Sequence, residues 1–293
     1  MINIREVRHN LWNIGFIEEG LENSLYRQNL QIHWVKKRIR DRWFADPFIL
    51  DVNDKVIIIL AEEYCYSVKR GRIARLEIDR HTYEEIGYEI ILDLPTHLSF
   101  PFIYRVGDSV YIVPENSASG SSIIYKYDDA LRKMIPLHMV ADEPFADAVI
   151  FEIKGKSYLF TTQLPETNSS VVDIYSFDES SLKIIEKLGS YEFPILCGRN
   201  AGAVFSVGGS LYRPAQDCTL CYGHGVILQK ITLDHGEWNF EDINSIYPTT
   251  FRYNQGLHTF NSYKGLIVID ARGYRNPILG RILTALFKLL GKK

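Results

Sequence analysis

The sequence predicts an all-β fold, a five-bladed β-propeller, on three observations. Two apolar runs joined by a turn containing Gly, Asp or Asn recur five times. Further strand-like stretches separate the copies, and helical periodicity is nearly absent from the body of the chain. The copies read ADPFILDVNDKVIIILA, SFPFIYRVGDSVYIVPE, ADAVIFEIKGKSYLFTT, NAGAVFSVGGSLYRPAQ and GLHTFNSYKGLIVIDAR, and they overlay without internal gaps apart from slight drift in the last. Asp46, Phe100, Asp147, Ala201 and Gly256 fall in register. A period of about fifty residues suits propeller blades and is too long for leucine-rich or helical repeats.

Each copy supplies the first two strands of a blade. Residues 72–79, 84–94, 122–127, 171–177, 182–191 and 225–233 supply outer strands, with apolar positions that alternate or run continuously. The fifth copy has only its first two strands before the tail begins. Residues 11–18 and 31–35, both strand-like, are expected to join it and close the ring, because an open ring leaves an apolar edge exposed. The domain reading is therefore a propeller over residues 1–275 and an amphipathic helical tail over 276–293. In the tail, Pro277 starts the helix and Leu279, Ile282, Leu283, Leu286 and Leu290 share one face, with Arg281, Lys288, Lys292 and Lys293 elsewhere. Such a helix offers a contact to a membrane surface, to a partner protein or to its own domain.

Composition narrows the function classes. A formal net charge of -3 and a pI near 6.3 give no broad attraction to a phosphate backbone, so nucleic acid is not expected as a partner. The one basic stretch, Lys36, Lys37, Arg38, Arg40 and Arg42, alternates as a solvated strand edge does. Residues 1–10 lack the apolar core of a secretory signal, and no run reaches the length of a spanning helix; a cytoplasmic protein, peripheral to a membrane through its tail, is expected. Four cysteines in 293 residues do not make a disulfide framework. Cys218 and Cys221, with His224 nearby, lack the second pair of a structural zinc site and read as thiols near a turn. No metal or cofactor is assigned, since GxSxG, a phosphate-binding glycine loop, HExxH and GxGxxG are all missing.

In a propeller the first strand of each blade lines the axis, and the second returns antiparallel beside it. Asp46 and Asp147, at the starts of first strands, are thereby expected to share one mouth with Glu62, Glu63, Glu115, Gln163, Gln216 and Asp217, at the ends of second strands. Two carboxylates across a funnel are what glycosidic cleavage requires, one as acid and one as base or nucleophile. The other reading of each aspartate is a cap on turn amides. His97, Arg199, Arg213 and His258 are candidate contacts to an anionic or hydroxyl-rich ligand, and Trp43, Tyr64, Tyr104 and Tyr222 are candidate surfaces for a sugar ring.

RWFADPFIL, HLSFPFIY with VYIVPE, PFADAVIF with YLF, LYRPAQDC with YG, and GLHTF with VIDAR resemble the N-terminal propeller of plant glucosamine inositolphosphorylceramide transferases and their bacterial relatives. The resemblance runs from about Trp12 to Arg272. That domain is similar in fold to the propellers of arabinanases, levansucrases and invertases. There, a first-blade Asp is base or nucleophile, a middle-blade Asp tunes the acid, and a later-blade Glu is the acid. The resemblance implies the first role for Asp46 and the second for Asp147. It supplies no third, because the fourth copy begins Asn200-Ala201-Gly202.

Two functions follow. The first is a glycosidase-type propeller with Asp46 as base or nucleophile, Asp147 as modulator and Glu115 or Asp217 as acid. The second is a non-catalytic glycan-binding or scaffolding propeller serving a glycosyltransferase or surface-polysaccharide pathway. A dry acid facing Asp46 favours the first; carboxylates tied to Arg199 or Arg213 favour the second.

Overall fold

The structure is a computed structural model that describes residues 10–27, 29–37 and 41–289. Arg38 and Arg40 of the basic stretch, and Leu290, Lys292 and Lys293 of the tail, lie outside the described residues.

The chain opens with β1 (Asn10–Ile17), a short helix α1 (Leu21–Ser24) and β2 (His33–Trp34). Blade 1 comprises β3 (Arg42–Val52), β4 (Val56–Cys65), β5 (Arg70–Asp79) and β6 (Glu85–Leu92). Blade 2 comprises β7 (Ser99–Val106), β8 (Ser109–Glu115), β9 (Ser122–Asp128) and β10 (Lys133–Ala141). Blade 3 comprises β11 (Phe145–Ile153), β12 (Lys156–Gln163), β13 (Val171–Asp178) and β14 (Lys183–Glu192). Blade 4 comprises β15 (Phe205–Val207), β16 (Ser210–Asp217), β17 (Gly225–Asp234) and β18 (Glu237–Ile246). Blade 5 holds β19 (Phe260–Tyr263) and β20 (Leu266–Tyr274), and β1 and β2 complete it in the order β19-β20-β1-β2.

The expected closure by the N-terminal strands is thus observed, with β1 pairing along β20 from Asn10 opposite Tyr274 to Ile17 opposite Ile267. A barrel or propeller needs such closure because an unpaired strand edge invites association. The core lies between neighbouring sheets. Between blades 3 and 4, Phe160 meets Trp238 edge-on at 5.0 Å and Phe193 meets Phe240 at 5.0 Å. Fully burying one such ring is worth about 1.5–3 kcal/mol, so these contacts fix the spacing of the blades and hence the width of the axial mouth. A final helix α2 (Pro277–Leu289) follows β20, and no helix among the described residues is long and apolar enough to cross a membrane.

Candidate functional site

The site begins with a repeated backbone irregularity. In blade 1 the ladder pairs Ala45 with Glu62 and then Phe48 with Leu60, so Asp46 and Pro47 together oppose Ala61. The same bulge separates Ser99 from Phe102 in blade 2 and Ala146 from Val149 in blade 3. Asp46, Phe100 and Asp147 at these bulges have φ of 50°, 41° and 49°. This left-handed backbone is tolerated by Asp and unusual for Phe. A bulge re-aims the side chain it carries, and here it turns both aspartates inward, where Asp46 is buried and Asp147 nearly fully so.

The bulges are stitched together around the axis. The Asp46 N–H donates to Asp270 Oδ2 at 2.9 Å, the Phe100 N–H to Asp46 Oδ2 at 3.2 Å, and the Asp147 N–H to Glu115 Oε2 at 3.3 Å. Each bond crosses from one blade to its neighbour. The aspartate-cap reading therefore holds in part, although the capped amides belong to other blades.

In blade 5 the irregularity falls between the Gly256–Arg272 bridge and the Phe260–Ile269 pair. His258 and Thr259, rather than Gly256, reach the mouth. The Thr259 hydroxyl donates to Asp46 Oδ1 at 3.0 Å, and His258 Nδ1 lies 3.6 Å from the same oxygen and 2.8 Å from Asp270 Oδ2. Asp46, His258 and Asp270 have ligand atoms within 4.8 Å of one another. Asp270 is engaged, however, by the His258, Thr259 and Asp46 amides and by His258 Nδ1, as a hydrogen-bonded clamp is.

In blade 4 the chemistry inverts. Arg199 Nε donates to Asp147 Oδ2, and its Nη2 donates to Glu115 Oε2 at 3.2 Å. Gln216 Nε2 adds a bond to Asp147 Oδ2 at 2.9 Å, and the Tyr222 ring lies 5.3 Å from the guanidinium. In the fourth copy Ala201 stands at the position of Asp46 and Asp147, and a Cβ on the next residue, Gly202, would sit 2.0 Å from the Phe260 carbonyl oxygen. Backbone of blade 4 packs directly on backbone of blade 5 there, with the Phe260 amide donating to the Ala201 carbonyl at 2.8 Å.

Electrostatics follow from this crowding. Burial pushes the Asp46 carboxyl up to about 7, reinforced by Glu62, Asp270 and Asp147 and opposed by His258. Burial and the Asp147 charge hold Glu115 well above the usual carboxylate range, with Arg199 opposing. His258 lies above its ordinary value although burial opposes this, because Asp270 and Asp46 favour its charged form.

A ring of oxygen acceptors sits above this layer. Glu62, Glu115 and Thr162 hold one register position, each opposite the residue that precedes a bulge, and in blade 4 Gln216 lies one residue beyond Ala215, the partner of Asn200, with its amide bonding the Arg199 carbonyl. Thr162 Oγ1, Gln216 Oε1 and the adjacent Asn116 Oδ1 are buried without a hydrogen-bond partner among the described residues. Glu62 Oε1 lies 3.2 Å from His97 Nε2, and this contact with the carboxylate, with its charge added and burial opposing, raises the His97 pKa. Beside Glu62, Trp43 and Tyr64 stack at 4.9 Å on the half-buried rim.

Several expected residues are placed otherwise. Glu63 is fully buried between Arg42 and Arg72, which bond it at 2.7 and 3.0 Å, and offers nothing to a ligand. Arg213 is fully buried, donating to Asn200 Oδ1, Gln229 Oε1 and the carbonyls of Cys197 and Gly198. It binds the blade together instead of facing the mouth. Asp217 accepts from Thr219, His224 and Tyr247, and these bonds outweigh burial and lower its pKa, the wrong direction for a proton donor. Tyr104 pairs with Tyr111 toward the hairpin turn and bonds Glu179, far along the strand from the mouth. The Gln163 side chain lies outside the described residues.

Residues that the sequence reading missed are Thr162, Asn116, Thr259, Asp270 and Trp12, which stacks on His258 at 3.9 Å. Asp270 lies in the VIDAR element, and its interior position in an apolar run was the available signal.

A family model described as "Glucosamine inositolphosphorylceramide transferase 1, N-terminal" matches residues 34–266. Glucosamine inositolphosphorylceramide transferase 1 of Oryza sativa subsp. indica is 29% identical over 199 residues, covering 64% of this chain and 26% of its own length. The Arabidopsis thaliana protein is 27% identical, with coverage of 64% and 25%. The chain spans about a quarter of the length of these curated relatives. Among solved structures, a GH43 β-xylosidase/α-arabinofuranosidase from a compost metagenome, in complex with xylotriose, superposes with a TM-score of 0.54 at 13% identity, covering 80% of this chain and 92% of its own. An exo-β-1,3-galactanase from Phanerochaete chrysosporium with galactose gives 0.55 at 8% identity, covering 75% and 58%. At such identities the likeness concerns the fold.

Proposed function

Since the chain belongs to the family of glucosamine inositolphosphorylceramide transferase N-terminal domains, we propose that it is a glycan-binding propeller whose mouth recognises carbohydrate without cleaving it. One observation carries this reading: buried acceptor oxygens on Thr162, Gln216 and Asn116 stand unpartnered around one end of the axis. Leaving a buried polar group unpaired costs about 1–3 kcal/mol, and sugar hydroxyls are donors that satisfy such a ring. The Trp43–Tyr64 pair offers a flat apolar face beside it.

Arg199 argues against turnover. It bonds both Glu115 and Asp147, so the acid candidate is held by a cation, and Asp217 is unsuited. The elevated pKa values of Glu115 and Asp46 support the glycosidase reading as a second one. The likeness to GH43 enzymes supports carbohydrate as the ligand class, because those neighbours are described with xylotriose and galactose.

The test is a calorimetric titration of the chain with xylo-, arabino- and galacto-oligosaccharides, in parallel with an assay for released reducing sugar. Binding by wild type with no sugar release supports the proposal. Release that disappears in Asp46→Asn replaces it with hydrolysis, and absence of both binding and release across the panel rejects it.

A further inference from the structure

We propose that the mouth end of the propeller docks on a bilayer containing anionic phospholipid, using helix α2 and a basic cleft beside it. This inference is independent of the glycan reading.

The helix packs weakly on its own domain. Gly280 is buried against Tyr274, and the Tyr274 hydroxyl meets Thr284 Oγ1 at 2.9 Å. The opposite side exposes Ile278, Ile282, Leu286 and Leu289, with Ile278 67% and Leu289 83% exposed. Spacings of four, four and three residues put these on one stripe, which water solvates poorly. Phe251, 61% exposed, extends the stripe beyond the helix. Arg281 fixes the two together, its guanidinium 4.1 Å from the Phe251 ring and its Nη2 donating to the Phe251 carbonyl at 2.6 Å.

Charge identifies what covers this surface. From Tyr274 to Lys293 the sequence has Arg275, Arg281, Lys288, Lys292 and Lys293 and no acidic residue. Next to the helix start lies a cleft of about 840 Å³ between blades 5 and 1, lined by Lys36, Lys37, Arg42, Arg252 and Arg275 and by no carboxylate. Arg42 is neutralised by Asp41 and Glu63. Lys36, Arg252 and Arg275 have no ion pair among the described residues, whereas burial pulls the Lys37 pKa down to about 7 and its Nζ donates to the Trp12 carbonyl at 2.6 Å. The aromatic wall of the cleft is Trp34 against Tyr253 at 4.5 Å.

A helix that exposes its apolar stripe, carries only positive charge and adjoins an acid-free cleft complements a lipid interface of negative charge. The whole chain, these residues included, carries -3, so the acid-free stretch from Tyr274 to Lys293 stands apart from the rest of the sequence. Trp12 both lines the cleft and stacks on His258 of the mouth. Docking therefore turns the mouth toward the lipid surface.

The experiment is flotation of the full chain with vesicles of phosphatidylcholine alone or mixed with phosphatidylserine. Binding is expected to the mixed vesicles and to fall as salt rises. Arg252→Glu with Arg275→Glu should weaken partitioning by at least about fivefold, in line with the contribution of each basic residue near an anionic surface. Leu286→Glu should abolish it, whereas Ile185→Glu, at another exposed apolar position on β14, should leave it unchanged; thermal melts confirm folding of each variant. Equal binding to both vesicles, no loss in Leu286→Glu, or no flotation with either vesicle would overturn the inference. So would full displacement by inorganic phosphate at low concentration, which would assign the cleft to a soluble anion.

Discussion

Blades 1 and 4 meet the axis with opposite chemistry. Blade 1 presents Asp46 and Glu62, whose contacts at the mouth are a threonine hydroxyl, a backbone amide and two histidines. Blade 4 presents Arg199 and, behind it, Arg213, whose donors are spent on carboxylates, amides and carbonyls. Blade 4 thus spends its arginine donors internally, and the acceptor it leaves open is Gln216 Oε1, in company with Thr162 of blade 3 and Asn116 after β8 of blade 2. Rigidity therefore belongs to the arginines of blade 4, and the open acceptors beside them are what the proposed glycan contact would use.

The largest expected effect breaks the rigid side. Arg213→Met removes every donor from a set of buried acceptors, and breaking a buried charged network of this kind costs about 3–5 kcal/mol; denaturant titration should show the midpoint fall accordingly. Arg199→Gln, next in size, strips the cation from Glu115 and Asp147. A loss of about 2 kcal/mol is expected, and it should grow as pH rises, because Glu115, already held high by burial, then ionises without its counter-charge. Melting curves at several pH values check this.

Asp46→Asn sharpens the other side. The folded-state pKa of Asp46 is raised to about 7, so between the ordinary carboxylate range and 7 the folded protein holds a proton that the unfolded chain has released. That contribution is fully present at low pH and is lost as pH climbs toward 7. Asparagine cannot titrate, so the decline in melting temperature over this window should flatten. The smallest effect belongs to Thr162→Val, which deletes an acceptor with no partner among the described residues. Stability should be unchanged or slightly higher, and glycan affinity should fall about fivefold, the equivalent of one neutral hydrogen bond.

Much of this arrangement was legible in the residues. Ladder spacing and turn chemistry are local, so the five copies, their outer strands and the closing role of residues 11–18 could be read directly. The register of Asp46, Phe100 and Asp147 was legible too, and it proved to be the register of the bulges. The fifth copy misled because its bulge comes later, so His258 and Thr259 rather than Gly256 reach the mouth. Glu63 and Arg213 misled for another reason. Strand alternation gives neighbouring side chains opposite faces, and an expectation based on position near a strand end does not say which face is taken. Thr162 and Asn116 were invisible, since an unpartnered oxygen is defined by what surrounds it.

Closure by β1 gives the molecule a temporal order. Trp12 has no strand partner until the ribosome has delivered Arg272, and Asp46 has neither Thr259 nor Asp270 until the same moment. Blades 1 to 4 can assemble during synthesis as domains do, from the N-terminus onward. The mouth matures last, so a nascent chain stalled before blade 5 carries all four of the earlier sheets and no finished axial mouth.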